Sequence, residues 1–101
     1  MELSKAAMSG TLESSDVQIR IFPNPGGGIR IDLESSVKKL FGESIEQTIR
    51  DVLAEFDVTD AEVIAVDKGA LDCTIRARMQ CAVCRAAEIS YEWGKEDRHV
   101  G

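Results

Sequence analysis

The sequence predicts an α+β fold: a two-layer β-β-α-β-β-α arrangement in which an antiparallel four-stranded sheet carries two helices on one face. Apolar residues recur at every second position in two pairs of segments, which is typical of half-buried strands. They recur at helical spacing in two further segments. Each strand then has one apolar face and each helix one apolar stripe, so a sheet covered by helices on one side buries them all.

The first predicted pair of strands covers residues 17–22 and 29–34. In each, three aliphatic side chains alternate with polar or outward-facing ones: Val17, Ile19 and Ile21, then Ile29, Ile31 and Leu33. The intervening PNPGGG (23–28) is rich in turn formers and predicts a hairpin loop. It lacks the Lys-Ser/Thr ending of a phosphate-binding loop and leads into a strand, so we do not expect it to bind phosphate.

The first helical pattern begins at Ser36. Ser44 and Gln47 have the spacing of a capping box, which predicts a main helix over residues 44–57 and a separate short helical turn over 36–41. The apolar positions of this pattern are Val37, Leu40, Phe41, Ile45, Ile49, Val52, Leu53 and Phe56.

The second half of the chain repeats this order. Residues 62–67 (EVIAVD) predict a strand, and Lys68-Gly69 predicts a turn. The alternation of Leu71, Cys73 and Ile75 then predicts a fourth strand and a second hairpin. A helix is expected near 77–88, with its apolar stripe formed by Ile75, Met79, Ala82, Val83 and Ala86.

Length and charge limit the possible functions. A chain of 101 residues suits one domain. The net charge of −6 argues against nucleic acid or an anionic membrane as partner. We see no apolar run of about 20 residues and no secretion signal, so a cytoplasmic location is expected. We expect a flexible N-terminal arm over 1–13, a folded domain over 14–88 and a flexible C-terminal tail over 89–101, in which no role is predicted for Tyr91 to Gly101.

Neither the cysteines nor the histidine predicts a catalytic or metal site. Cys81 and Cys84 form a CxxC motif, but only Cys73 and His99 could complete a zinc site. The motif falls within the predicted second helix, with both thiols expected to point away from the apolar stripe. His99 lies in the predicted tail, where it could not be held against a nucleophile. We predict no catalytic residues and no metal ligands.

The remaining candidate is the segment GTLESSDV, from Gly10 to Val17. Its serines, Ser14 and Ser15, stand next to Glu13 and Asp16 at the start of a predicted strand. Local chemistry leaves two interpretations open. The segment is a disordered lead-in rich in turn formers, or it is an exposed site at which a serine hydroxyl is modified, for example by phosphorylation.

Three segments of the chain resemble the family of citrate lyase acyl carrier (gamma) subunits. They are GTLESSDV, SSVKKLFGESIEQTIRDVL (35–53) and DKGALDCTIRAR (67–78), and the resemblance extends over about residues 8–88. It implies that residues 14–88 are an acyl carrier domain without catalytic activity. It also implies that Ser14 carries 2'-(5''-phosphoribosyl)-3'-dephospho-coenzyme A through a phosphodiester. Ser15 corresponds to a position that is often Ser or Gly in the family.

The resemblance also implies partners. They are the citrate lyase alpha subunit, an acyl transferase that exchanges acetyl for citryl on the arm, and the beta subunit, a citryl lyase that releases oxaloacetate. A transferase that attaches the prosthetic group is a third expected partner. The setting is citrate fermentation by a multi-subunit complex in the cytoplasm, with no nucleic acid and no membrane involved.

Two alternatives remain at this stage. One is the related acyl carrier of malonate decarboxylase, and the other is a non-covalent interaction module regulated by phosphorylation at Ser14 or Ser15. Glu13 and Asp16 are expected to repel a phosphodiester, and no helix is predicted to begin directly after them. We therefore interpret the acidic motif as the feature that the attaching transferase recognises, rather than as a pocket for the attached group.

Overall fold

The computed structural model describes residues 1–89, which form a four-stranded sheet and two helices. The elements in chain order are β1 (Ala7–Gly10), β2 (Val17–Pro23), β3 (Ile29–Ser35), α1 (Lys38–Glu55), β4 (Ala61–Asp67) and α2 (Asp72–Ala87). The strands lie in the order β1-β2-β4-β3. The α+β fold with four strands and two helices is thus confirmed.

The core lies between the sheet and the two helices. Alternate residues of the central strands β2 and β4 are fully or almost fully buried, as the period-two pattern predicts. They belong to the same apolar cluster as the buried stripes of both helices. The most deeply buried large side chains of this cluster are Ile19, Ile21, Ile49, Leu53, Met79, Val17, Val52, Val63 and Val83.

The prediction of a purely antiparallel sheet is wrong, because β2 and β3 do not pair as a hairpin. β4 lies between them, antiparallel to β2 and parallel to β3. The physical reason is the composition of β4, where Ile64 and Val66 are half-buried on the face opposite to its core residues. A strand that is apolar on both faces gains most at the centre of a sheet. The side chain of Asp60 accepts a hydrogen bond from the backbone N–H of Gly28 at 2.9 Å and so links the start of β3 to the start of β4.

The predicted second hairpin is also wrong. Leu71 is the residue before α2, and Cys73 and Ile75 lie within its first turn. Leu71 and Cys73 are exposed while Ile75 is buried, so these residues do not share one face. The helical stripe that continues to Ala86 outweighs a local alternation of three residues.

The fourth strand is instead formed by residues that were predicted to be a flexible arm. Within the predicted arm of residues 1–13, Ala7–Gly10 pairs antiparallel with β2 as an edge strand. Leu3 reaches the core, and the Ser4 hydroxyl donates to the carbonyl oxygen of Ala86 at 3.0 Å. The described part of the predicted tail ends at residue 89, and residues 90–101, including His99, lie outside the described residues.

Helix α1 is a single helix rather than a short turn followed by a longer helix. It passes through Gly42, which is buried, and Ser44 lies inside it rather than capping it. At Gly42 an added Cβ would lie 3.1 Å from Cγ of Lys38. The predicted capping box is therefore absent, and no side chain caps the start of this helix. Within residues 1–89, neither helix is long and apolar enough to cross a membrane.

Candidate functional site: the serine turn

The two serines singled out by the sequence lie in the connection between β1 and β2. We call residues 11–16 the serine turn. Ser14 and Ser15 are both exposed, and Ser15 has a positive φ of 66°. The backbone N–H of Asp16 donates to the carbonyl oxygen of Glu13 at 3.1 Å. The chain thus reverses direction at the serines and presents both hydroxyl groups to solvent.

The serine turn is fixed to the connection between β4 and α2 by two backbone hydrogen bonds. The N–H of Ser15 donates to the carbonyl oxygen of Lys68 at 2.8 Å, and the N–H of Lys68 donates to the carbonyl oxygen of Asp16 at 2.9 Å. These bonds continue the antiparallel pairing of Val17 with Asp67. The backbone at the serines is therefore held in place while their side chains stay accessible.

The carboxylate of Asp16 organises the inside of the turn. Arg78, on α2, donates from Nε to Oδ1 at 3.1 Å and from Nη2 to Oδ2 at 3.0 Å. The Thr11 hydroxyl donates to Oδ2 at 2.6 Å, and the N–H of Val17 donates to Oδ1 at 2.7 Å. Thr11 Oγ1 in turn accepts from the N–H of Glu13 at 3.2 Å. Such a bidentate pairing of guanidinium and carboxylate fixes the orientation of the two groups as well as their distance.

This network holds the pKa of Asp16 far below its usual range. The main cause is the pair of hydrogen bonds from Arg78, followed by the hydrogen bond from Thr11; partial burial opposes them. Asp16 is therefore ionised at neutral pH, and the guanidinium of Arg78 neutralises its charge. The expectation that Asp16 repels a phosphodiester is corrected in this respect, whereas Glu13 remains exposed beside the serines.

Gly10 permits the close approach of the two strands at the base of the turn. Its φ is +85°, and an added Cβ would lie 1.8 Å from the carbonyl oxygen of Val17. Only glycine fits such a position, because both the backbone conformation and the space exclude a side chain. The first residue of the GTLESSDV motif therefore has a structural role in the turn.

The sequence locates Ser14, Ser15, Glu13 and Asp16 in one short segment. Arg78 is the last residue of the segment DKGALDCTIRAR, but nothing in the sequence indicates that it pairs with Asp16. That residue is 62 positions from Asp16 and belongs to a stretch that was expected to begin a helix only at residue 77. In the structure α2 begins at Asp72, and the β4–α2 connection is hydrogen-bonded to the serine turn. This arrangement brings Arg78 next to Asp16. No spacing rule could have paired the two residues.

The other candidates from the sequence do not form a site within the described residues. Cys81 and Cys84 lie inside α2, as predicted, but Cys84 is buried rather than pointing away from the apolar stripe. Burial raises the pKa of the Cys84 thiol, and the neighbouring Cys81 raises it further. Within residues 1–89, no three His, Cys, Asp or Glu side chains lie close enough together to hold a metal ion.

An apolar groove opens beside the same β4–α2 connection. It has a volume of about 330 Å³ and lies between the start of α1 and the start of α2. Its walls are mainly aliphatic and aromatic, with a few polar groups. The lining residues are Val37, Phe41, Ser44, Ile45, Asp67, Gly69, Ala70, Leu71, Asp72 and Ile75.

Comparison with known proteins first gives the class. The family model described as "Malonate decarboxylase delta subunit (MdcD)", of the type abbreviated ACP, matches residues 4–86. In a solved structure of a Pseudomonas malonate decarboxylase hetero-tetramer in complex with malonate, one chain has a similar fold. The TM-score is 0.70 at 19% identity, over 85% of this chain and 88% of that one. At this identity the likeness concerns the fold alone.

Closer relatives narrow the class. The citrate lyase acyl carrier protein of Haemophilus influenzae is 50% identical over 93 residues, 92% of this chain and 96% of the relative. Citrate lyase acyl carrier protein 2 of Salmonella paratyphi A is 56% identical over 88 residues, 87% of this chain and 91% of the relative. The chain therefore belongs to the family of citrate lyase acyl carrier proteins.

Proposed function

We propose that this chain is the acyl carrier subunit of a citrate lyase and that it is not itself a catalyst. The observation that carries the proposal is the geometry of Ser14, an exposed hydroxyl on a turn whose backbone is anchored to the core. A carrier needs a fixed attachment point and an accessible oxygen, and it gains from the high effective concentration of a tethered group. The relatives at 50–56% identity favour citrate lyase over malonate decarboxylase.

The group proposed at Ser14 is 2'-(5''-phosphoribosyl)-3'-dephospho-coenzyme A, attached through a phosphodiester. When bound, it supplies a thiol that carries acetyl and citryl groups as thioesters. The residues present fit such an attachment. The Ser14 side chain is exposed to solvent. Of its two acidic neighbours, Asp16 is paired with Arg78, and Glu13, the residue before Ser14, is exposed. The Arg78 side chain is 41% exposed, so its ion pair with Asp16 lies at the surface beside the turn.

The proposed partners are an alpha subunit with acyl transferase activity, a beta subunit with citryl lyase activity and the transferase that attaches the group. The role of this chain toward them is to present Ser14 and to hold the turn in one conformation. The Asp16–Arg78 pair and the bond from Ser15 to Lys68 perform that task. We place the complex in the cytoplasm, without nucleic acid or membrane as a partner.

The identity of the attachment residue can be tested by peptide mapping and intact mass. Protein isolated from cells that are fermenting citrate should carry one nucleotide-containing adduct on the peptide that includes Ser14. The Ser14→Ala variant should lack this adduct and fail to support citrate cleavage. Its free energy of unfolding should change by less than about 0.5 kcal/mol, because the side chain is exposed.

Ser15→Gly is the matched control for this experiment. Ser15 is equally exposed but has a positive φ, which glycine adopts without strain. The variant should carry the adduct as the wild type does. An unmodified Ser14 in protein from cells actively cleaving citrate would refute the proposal. Addition of a single phosphate instead would favour the phosphorylated interaction module.

A further inference from the structure

The apolar groove next to the serine turn is open at a mouth of exposed apolar side chains. Leu71 is 72% exposed and Phe41 is 55% exposed, although Phe41 belongs to the apolar stripe of α1. Within α1 the stripe residues Ile45, Ile49, Val52 and Leu53 are buried. Near the start of the helix, Leu40 and Phe41 are exposed. Apolar surface left in water costs about 25 cal/mol per Å² relative to burial. The groove therefore favours an apolar occupant.

The size and lining of the groove fit a slender ligand of mixed polarity. A volume of about 330 Å³ is at the lower end of the range for small-molecule sites. Val37, Ile45 and Ile75 supply apolar wall, and the Ser44 hydroxyl adds a polar group. A chain of methylene and amide groups, such as the pantetheine part of a coenzyme A derivative, has this mixed character.

The groove and the serine turn share one structural element, the β4–α2 connection. Lys68 forms both backbone hydrogen bonds that anchor the turn, and Gly69, Ala70 and Leu71 form one rim of the groove. From Lys68 to Leu71 the chain spans at most about 11 Å, since each residue contributes no more than about 3.6 Å. Ser14 precedes Ser15, which is hydrogen-bonded to Lys68, and Lys68 directly precedes the rim residue Gly69. The attachment point therefore lies beside the groove.

The charges at the groove select among occupants. Its two ionisable lining residues are Asp67 and Asp72, and no lysine or arginine lines it. Both carboxyls already have partners in the fold. Asp67 accepts from the Ser35 hydroxyl at 2.8 Å and from the N–H of Ala70 at 3.0 Å, and Asp72 accepts from the Thr48 hydroxyl. An acyl group with carboxylates of its own would meet like charge there, with no cation to compensate it.

We propose that this groove is a resting site for the thiol end of the arm attached at Ser14, and that it accepts neutral acyl groups but not carboxylated ones. The inference rests on the proposed function and adds a binding site to it. A small neutral acyl group, such as acetyl, is sheltered in the groove. An acyl group that bears carboxylates is excluded and left free for a partner subunit.

Two alkylated forms of the full-length protein, loaded with its prosthetic group, test this inference. Reaction of the free thiol with iodoacetamide gives a neutral adduct, and reaction with iodoacetate gives an anionic adduct of nearly the same size. Because Cys73 is exposed, both forms are made on a Cys73→Ser, Cys81→Ser background. Two-dimensional ¹H–¹⁵N spectra are compared with the unloaded protein. The neutral adduct should shift the amide resonances of Phe41, Ala70 and Leu71, and the anionic adduct should lose most of that shift.

The chain offers a matched pair of variants for the same measurement. Leu71→Gln places a polar side chain at the groove mouth and should abolish the shifts caused by the neutral adduct. Leu40→Gln is the control, because Leu40 is 80% exposed on the neighbouring surface but does not line the groove. Shifts confined to residues 11–16 in every loaded form would overturn the groove inference alone. Absence of the group from Ser14 by mass would overturn the proposed function and this inference with it.

Discussion

Asp16 shows how a single residue can be misjudged from sequence. In the printed chain it is one of two acidic neighbours of the serines. In the structure it accepts four hydrogen bonds, two of them from Arg78, and becomes the inner support of the turn. The proposed attachment residue, Ser14, could be singled out from the sequence because it is polar and belongs to the GTLESSDV motif. The supporting role of Asp16 could not be predicted, because its partner Arg78 is 62 positions away in the chain.

The Asp16–Arg78 pair predicts a specific dependence of stability on pH. The folded-state pKa of Asp16 is depressed below its unfolded value of about 3.9, so the carboxylate contributes stability above that pH. This contribution is lost progressively as the pH falls below about 4 toward the folded-state pKa. Urea unfolding of wild type and Asp16→Asn should differ most at pH 7 and converge in acid.

Glu13→Gln is the control for that comparison. It removes a carboxylate from the same turn, but one that is exposed and outside the Arg78 pair. Its stability difference from wild type should be small at both pH values. A stability gap between wild type and Asp16→Asn that stayed constant from pH 7 to pH 3 would contradict the assignment.

At the scale of elements, the strands and helices that follow a long periodic pattern were predictable. The spans of β2, β3 and β4 agree with prediction to within one residue at either end. The errors fall where the pattern is short. Residues 7–10 (AMSG) contain too few apolar side chains to predict a strand, and their place depends on pairing with β2. Residues 71–75 alternate for only three positions, which a helix start can also produce.

The start of α2 at Asp72 can be checked by thiol reactivity. Cys73 is exposed in the first turn of α2, whereas Cys84 is buried and has a raised pKa. In native protein at pH 8, a disulfide reagent such as Ellman's should react quickly with Cys73 and slowly with Cys84, since the thiolate is the reactive form. All thiols should react at similar rates in denaturant.

Single Cys→Ser variants assign the phases of that reaction. Cys73→Ser should remove the fast phase, and Cys84→Ser should remove the slowest one. The predicted but incorrect strand over 71–76 would place Cys73 on the same face as Ile75, which is 2% exposed. Protection of Cys73 in the native protein would therefore favour the strand and contradict the helix.

At the scale of the whole molecule, the serine turn and the starts of both helices lie at the same end of the sheet. Gly10 ends β1, Val17 begins β2, Asp67 ends β4, and the register places these residues side by side with Ser35 at the end of β3. Helix α1 follows β3 and helix α2 follows β4, and both of these strands finish at this end of the sheet. The order β1-β2-β4-β3 could not be read from the sequence, because apolar alternation specifies a face but not a neighbour.

The integration of the N-terminal residues into the fold provides a test of this architecture. If residues 1–10 were a flexible arm, deleting them would leave stability nearly unchanged. In the structure they supply Leu3 to the core, the edge strand β1 and the backbone bonds of Ser4 and Lys5 to Ala86. The deletion should therefore lower the thermal unfolding midpoint by more than about 8 °C, since loss of a buried side chain and a strand removes at least about 2 kcal/mol.

Leu12→Ala, at a residue that is 53% exposed in the adjoining turn, serves as the control and should leave the midpoint nearly unchanged. Equal midpoints for the deletion variant and the wild type would contradict this prediction. They would indicate that residues 1–10 are a flexible arm and that β1 does not support the serine turn.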